Sequence, residues 1–214
     1  SFATVLRINR ICFSKEFPML LEHFTPVAPE KAYRMFNLGA TALVSAEYEG
    51  VSDIMPATWI CPLDLMPFKT TAGIDKSHFT RPLMEKSGCF ALMLPTVSIV
   101  EKVMKLGWVS KNDDPDKVEK SGAELFYAGD CTIPLVKGCA AWAIFKIVSE
   151  PHNEQAYDLF IGECVKAWAD DRVFKDGHWL FENAPLEARP LHYVAGGHWY
   201  ATGKAVTLPQ YGND

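Results

Sequence analysis

TALVSAEYEGVSDIMPATWI, residues 41 to 60, decides how the rest of the chain is read. Two runs rich in β-branched and aromatic residues, TALVSAEY and VSDIMPATWI, flank Glu49 and Gly50, the pattern of two strands joined by a tight hairpin. Upstream, Pro29 to Leu38 opens on proline, carries Glu30 early and stops before Gly39, which predicts a helix. Downstream, CPLDLMP (61–67) is punctuated by prolines and reads as a loop. FKTTAGI (68–74) and GCFALMLP (88–95) follow as strands, with a polar loop and a short helix between them.

Farther along, Val97, Val100, Val103, Met104 and Leu106 fall at helical spacing with Glu101, Lys102 and Lys105 outward, so a surface helix is expected there. KNDDPDKVEKSG (111–122) is charged and contains Pro115; it is a loop or a short exposed helix, read as a solvated face rather than a binding element. GCAAWAIFKIVSE (138–150) is a strand. AYDLFIGECVKAWAD (156–170) fits both periods, and Gly162 decides for strand. HYVAGGHWYATGKAVTL (192–208) reads as one last strand with a bulge or close approach at Gly196 and Gly197. With about six or seven strands and few helices long enough for parallel crossovers, the expected fold is mainly β: an antiparallel sheet closed into a barrel with a few short peripheral helices. Closure would also remove exposed edges.

Composition narrows the function. A chain of 214 residues, 49% hydrophobic, has the size of one domain with one substantial core. A net charge of −5 offers no attraction to nucleic acid. The most apolar run, Gly138 to Ile144, is soon followed by Lys146, so no membrane span is expected. Six cysteines at 12, 61, 89, 131, 139 and 164 form no CxxC pair and sit mostly in apolar stretches, which points to buried reduced thiols and a cytoplasmic protein. Residues 1–18 carry basic residues without a long apolar core, arguing against a secretory peptide, and Met19 is a candidate start that would make them an upstream extension.

The common catalytic signatures fail. TGKAV around Lys204 lacks the leading glycine of a phosphate-binding P-loop, and neither GxGxxG nor GxSxG occurs. His178, His192 and His198 lie near Glu182 and Glu187 but match no metal-ligand spacing, and they are read as structural or partly exposed. Cys61 is read as a packed thiol rather than a nucleophile, because no neighbouring base or helix start is legible.

Three segments together resemble a known family. EGVSDIMPATWICPLDL (49–65) is similar to the glycine hairpin of the flavin reductase-like, FMN-binding split β-barrel proteins, which include flavoredoxins and the reductase partners of two-component monooxygenases. GIDKSHFTRPLMEKSGCFALML (73–94) resembles that family's strand, phosphate loop, short helix and next strand, and HYVAGGHWYATGKAV (192–206) its closing aromatic and glycine pattern. Departures are Asp53 where the family favours asparagine, Pro56 where threonine is common, and LMPFK in place of a double proline. The resemblance covers residues 26–207 as a single domain, with 1–25 as an N-terminal extension and 208–214 as a C-terminal tail.

The resemblance implies bound FMN, or FAD, with NAD(P)H as co-substrate, in a cytoplasmic homodimer that could serve a monooxygenase or another redox protein. The leading reading is an NAD(P)H-dependent flavin reductase. Its rivals are a flavoredoxin-like electron carrier that does not use NAD(P)H directly and a barrel that binds without catalysis. No catalytic side chain is required, since the flavin carries the chemistry. The implied cofactor residues are Ala57, Thr58, Trp59, Ile60 and Cys61 around the ring, Thr58 and Trp59 foremost, and Asp75, Lys76, Ser77 and Thr80 at the phosphate. Physically, the stretch Asp75 to Thr80 offers a cation, hydroxyls and N–H groups just before a helix start. The plainer alternative makes Thr80 a helix cap and leaves Lys76 solvated. The stretch Ala57–Cys61, taken alone, also reads as an ordinary core strand. Trp108, Trp199 and Tyr200 are candidates to border the ring or a partner subunit.

Overall fold

The computed structural model describes residues 39–206 apart from 130, and the single positions 28, 30, 32, 35 and 208. Glu30, Ala32 and Met35 are helical, and the rest of the helix expected over 29–38 lies outside the described residues, as do most of the two terminal extensions. The compact unit that begins at Phe36 carries every element below.

The opening hairpin forms as its sequence demands. Strand β1 (Ala42–Tyr48) pairs antiparallel with β2 (Val51–Ala57), with Tyr48 opposite Val51. Glu49 and Gly50 both take positive φ, 51° and 81°, the backbone a two-residue turn of the type I′ kind needs to match strand twist. The Glu47 carboxylate accepts the Gly50 N–H at 2.6 Å.

Next come β3 (Ile60–Leu65) and β4 (Phe68–Gly73), a second antiparallel hairpin. The loop expected over Cys61–Pro67 is therefore a strand up to Leu65. Pro62 and the register shift between Pro62 and Asp64 are tolerated because β3 is a sheet edge, where a missing N–H costs no ladder bond. Helix α1 (Thr80–Ser87) leads into β5 (Cys89–Pro95), and Val100–Trp108 forms α2, the surface helix expected there, with Val103 and Leu106 buried. A four-residue helix α3 (Lys117–Lys120) interrupts the charged segment. The short strands β6 (Leu125–Phe126) and β7 (Leu135–Val136) precede β8 (Cys139–Val148), helix α4 (Pro151–Tyr157) and β9 (Leu159–Ala169).

Strand β9 passes close to the core rings at Gly162: a Cβ there would sit 2.5 Å from Phe90 Cζ and 2.9 Å from Phe145 Cβ. Two further hairpins, β10 (Phe174–Lys175) with β11 (His178–Trp179) and β12 (Leu191–Ala195) with β13 (His198–Ala201), complete the strands. The single last strand expected from the sequence is thus two, turning at Gly196 and Gly197, which have φ of 59° and 78°.

Seven strands make one antiparallel sheet in the order β2-β1-β5-β8-β9-β4-β3. The expected closure into a barrel is not completed by hydrogen bonds among the described residues, since β2 and β3 end the order without pairing to each other. These two margins are nevertheless consecutive in the chain, separated only by Thr58 and Trp59. A link of that length spans roughly 10 Å at most, so the sheet curls until the end of β2 meets the start of β3.

Both faces are covered, which is why the inner strands read as unbroken apolar runs. On one side Leu43, Ile54 and Met93 pack with Ile99, Val103, Leu106 and Leu135. On the other, Val44, Ala46 and Ile74 pack with Met84, Phe90, Phe145 and Phe160, where Phe90 and Phe145 stack at 5.3 Å. Each fully buried Leu, Ile or Phe contributes about 2 kcal/mol of apolar burial.

Candidate functional site

The corner between β2 and β3 holds Ala57, Thr58 and Trp59, and the turn from β4 into α1 holds Asp75 to Phe79. One contact joins them. The Gly73 N–H donates to the Trp59 carbonyl at 2.9 Å, and a Cβ on Gly73 would touch the Trp59 Cβ at 3.4 Å. The absence of a side chain at Gly73 lets the corner lie flat on β4, two residues before Asp75. Trp59 is 64% exposed, so its indole is available to a ligand instead of filling core.

Two concavities flank this corner. Ile60, Cys61 and Phe68 form one wall of a trough of about 810 Å³, and Phe174 and Trp179 form another. Its floor includes the cross-strand pairs Ala143 with Ala167 and Ala141 with Ala169, small side chains that leave room above the sheet. No Asp, Glu, Lys, Arg or His is among the residues that line it. Cys61 is exposed, which corrects the packed thiol expected there, and its thiol faces the Pro62 carbonyl at 3.4 Å.

The second concavity is polar, about 460 Å³, and is lined by Pro56, Ser77, His78, Asn112 and Lys117 among others. In the loop beside it, Asp75 accepts the Ser77 N–H at 2.8 Å. The Ser77 hydroxyl, and next its N–H, hold the Asp75 carboxyl below its usual range. Lys76 donates to the Gln155 carbonyl at 2.5 Å and lies 3.8 Å from Asp158, with its side chain 58% exposed. His78 Nδ1 is buried without a hydrogen-bond partner, an unsatisfied polar atom beside this cavity.

Thr80 is not the helix cap of the plainer reading. It is the first residue of α1, fully buried, and its hydroxyl donates to Asp53 at 2.6 Å, so it neither caps the helix nor faces the loop surface. The sequence reading missed the partnership of Asp53 with Lys117. Their side chains are 1% and 3% exposed and form an ion pair at 3.0 Å. The signal was available in Asp53 itself, a carboxylate within a buried strand run, which requires a partner. Arg81, also buried, donates to the carbonyls of Ile74 and Glu154 and pairs with Asp158 and Glu85, tying α1 to the segment around α4.

Of the aromatics singled out by sequence, Trp108 is 78% and Tyr200 57% exposed, while Trp199 packs on Tyr193 at 4.7 Å and against the core. Among the described residues no cluster of three or more His, Cys, Asp and Glu could hold a metal ion, and no helix is long and apolar enough to cross a membrane.

A curled antiparallel sheet thus carries a flat corner with an apolar trough on one side and a cation-bearing loop on the other. The chain belongs to the flavin reductase like domain family, whose model matches residues 37–198. It is 43% identical to the FMN-binding domain of a flavin reductases-like enzyme from Shewanella baltica OS155, covering 86% of this chain and 96% of that one with a TM-score of 0.77. It is 32% identical to the uncharacterized protein YddH of Escherichia coli K12 over 87% of this chain and 99% of that protein. The fold is also that of a flavoredoxin from Methanosarcina acetivorans, at 22% identity and a TM-score of 0.64, covering 81% of this chain and 90% of that one.

Proposed function

We propose that this chain is an FMN-dependent oxidoreductase that takes hydride from NAD(P)H, working as a cytoplasmic homodimer with residues 26–207 as its functional domain. One observation carries the reading: a trough with no Asp, Glu, Lys, Arg or His in its lining meets, across the Trp59 corner, a loop bearing an exposed ammonium. That juxtaposition complements a molecule with an apolar ring at one end and a phosphate at the other. The residues present fit FMN. His78 Nδ1, Lys76 and the Ser77 hydroxyl, once released from Asp75, would hold the phosphate end, and the backbone of Ala57–Cys61 would border the ring. Thr80 would act from below, through Asp53, unless its hydroxyl leaves that carboxylate.

When bound, the flavin supplies N5 as hydride acceptor and can pass electrons on singly or in pairs. The chain itself binds, orients and desolvates. The trough walls would exclude water from one side of the ring, and the exposed Trp59 would offer its face to ring stacking.

Visible absorption before and after adding FMN and desalting tests the cofactor. Flavin bands that survive desalting are expected, and their absence removes the reading. Anaerobic mixing of the loaded protein with NADH and with NADPH then tests the hydride source. Bleaching within seconds is expected, and a flavin that stays oxidised for minutes turns the assignment to a carrier reduced by another protein.

A further inference from the structure

The charged segment from Lys111 to Ser121, expected to be a solvated face, reaches back into the body of the domain through three side chains. Lys111 Nζ donates to the Ser52 carbonyl at 2.5 Å and stands 5.6 Å from the centre of the Phe79 ring. Asn112 Nδ2 donates to the Ser77 carbonyl at 2.9 Å. Lys117 Nζ lies 3.0 Å from Asp53 Oδ1 and 3.3 Å from Oδ2, the same oxygen that accepts the Thr80 hydroxyl. The segment therefore grips Ser77 from one side and Thr80, by way of Asp53, from the other, and the polar cavity lies between these grips.

A fully buried ion pair is a poor source of net stability, because desolvating both charges offsets most of their attraction. What it imposes is position: the ammonium has one low-energy place in this interior, beside Asp53. We propose that Lys117 is a positioning residue for the cofactor loop, docking the charged segment so that Asp53 orients Thr80 and Asn112 holds Ser77 before any ligand arrives. The inference rests on the reading that the Asp75–Thr80 loop receives the FMN phosphate. Its energetic logic is preorganisation, since a loop already held in place loses less freedom when it binds.

Three variants test it. Asn112→Ala removes an exposed contact and leaves the ion pair intact. D53N/K117M removes both charges together; the carboxamide oxygen it introduces still accepts from Thr80, and no uncompensated charge is left in the interior. K117R keeps the cation and serves as the conservative control. Hydrogen exchange of the flavin-free protein reads the loop directly. In D53N/K117M, amides of 77–81 and 109–121 are expected to exchange at least about tenfold faster while β1 and β8 keep their protection. In the FMN titration, Kd is expected to rise about tenfold in D53N/K117M and about threefold in Asn112→Ala, with K117R nearer wild type than the double variant.

Unchanged exchange in the loop overturns the proposal, whether or not flavin binds. So does faster exchange accompanied by an unchanged FMN Kd, which reduces the pair to scaffold. Wild-type protein that takes up no FMN removes the cofactor reading instead, and the exchange comparison still decides whether Lys117 positions the loop. If D53N/K117M fails to fold, Asn112→Ala decides alone: an FMN Kd equal to wild type overturns the proposal.

Discussion

Gly73 carries the indole of Trp59: a Cβ built on the glycine would lie 3.4 Å from the Trp59 Cβ and 3.5 Å from Cε3, and the backbones meet in a 2.9 Å hydrogen bond. An alanine methyl fits that spacing in ordinary contact, whereas the second branch of a valine does not. Gly73→Val is expected to tilt Trp59 off the strand and weaken FMN binding about tenfold, with Gly73→Ala losing less than about threefold. Flavin titration of both variants, with circular dichroism to confirm an unaltered sheet, checks this.

Gly162 is a packing requirement of the core. Its Cβ would stand 2.5 and 2.7 Å from the Phe90 ring and 2.9 Å from Phe145, two rings that already stack on each other. Gly162→Ala is expected to destabilise the domain by about 1–3 kcal/mol through overpacking. A urea midpoint within error of wild type would contradict the assignment of β9 to this register.

The cysteines should divide by exposure. Cys61 is exposed and Cys139 is buried, and burial pushes the Cys139 thiol well above its ordinary value of 9.0. Iodoacetamide on the native protein should label Cys61 and leave Cys139 unmodified until denaturant is added, as peptide mass mapping would read.

The same thiol predicts a pH dependence. The folded state keeps Cys139 protonated, so its contribution to stability is complete below the unfolded value near 9 and is lost as pH rises above it. Between pH 9 and 10.5, wild type should lose about 1 kcal/mol per pH unit more than Cys139→Ala. Parallel denaturation curves over that window would remove the prediction.

The β3–β4 hairpin carries a strip of exposed apolar side chains: Leu65 and Met66 are each 90% exposed and Leu63 51%. Under the proposed homodimer, this strip on a sheet edge is where a second subunit would dock. Light scattering is expected to find a dimer for wild type and a monomer for Leu65→Lys with Met66→Lys. A wild-type monomer at working concentrations would dispose of the homodimer.

Most of the sheet was legible because its strands obey local rules. Glu49-Gly50 could only be a tight turn, and Gly162 favoured strand over helix at β9. Where the reading failed, a local signal was overridden by position in the fold. Pro62 looked like a loop residue, yet an edge strand has no N–H to lose there. Gly196-Gly197 looked like a bulge and is a hairpin turn, because both glycines take positive φ. At the site, the polar loop before α1 was legible, but Thr58 and Trp59 were read as the end of one strand and not as a corner, and their contact with Gly73 joins separate segments. Lys117 was lost for the same reason. Asp113, Asp116, Glu119 and Lys120 around it are exposed, and only the return of the chain onto β2 brings it to Asp53.

The margins of the seven-stranded sheet are tethered by Thr58 and Trp59 and not by ladder pairing. The tether confers an effective concentration: with two linking residues, the loop-closure entropy of bringing β2 alongside β3 is nearly nil, while the rest of the ring must be assembled by contacts distant in sequence. A circular permutant cut between residues 58 and 59 would keep every strand pair of the native sheet yet lose this pre-closed seam. It should therefore fold to the same pairing order, but with the mouth beside Trp59 free to gape.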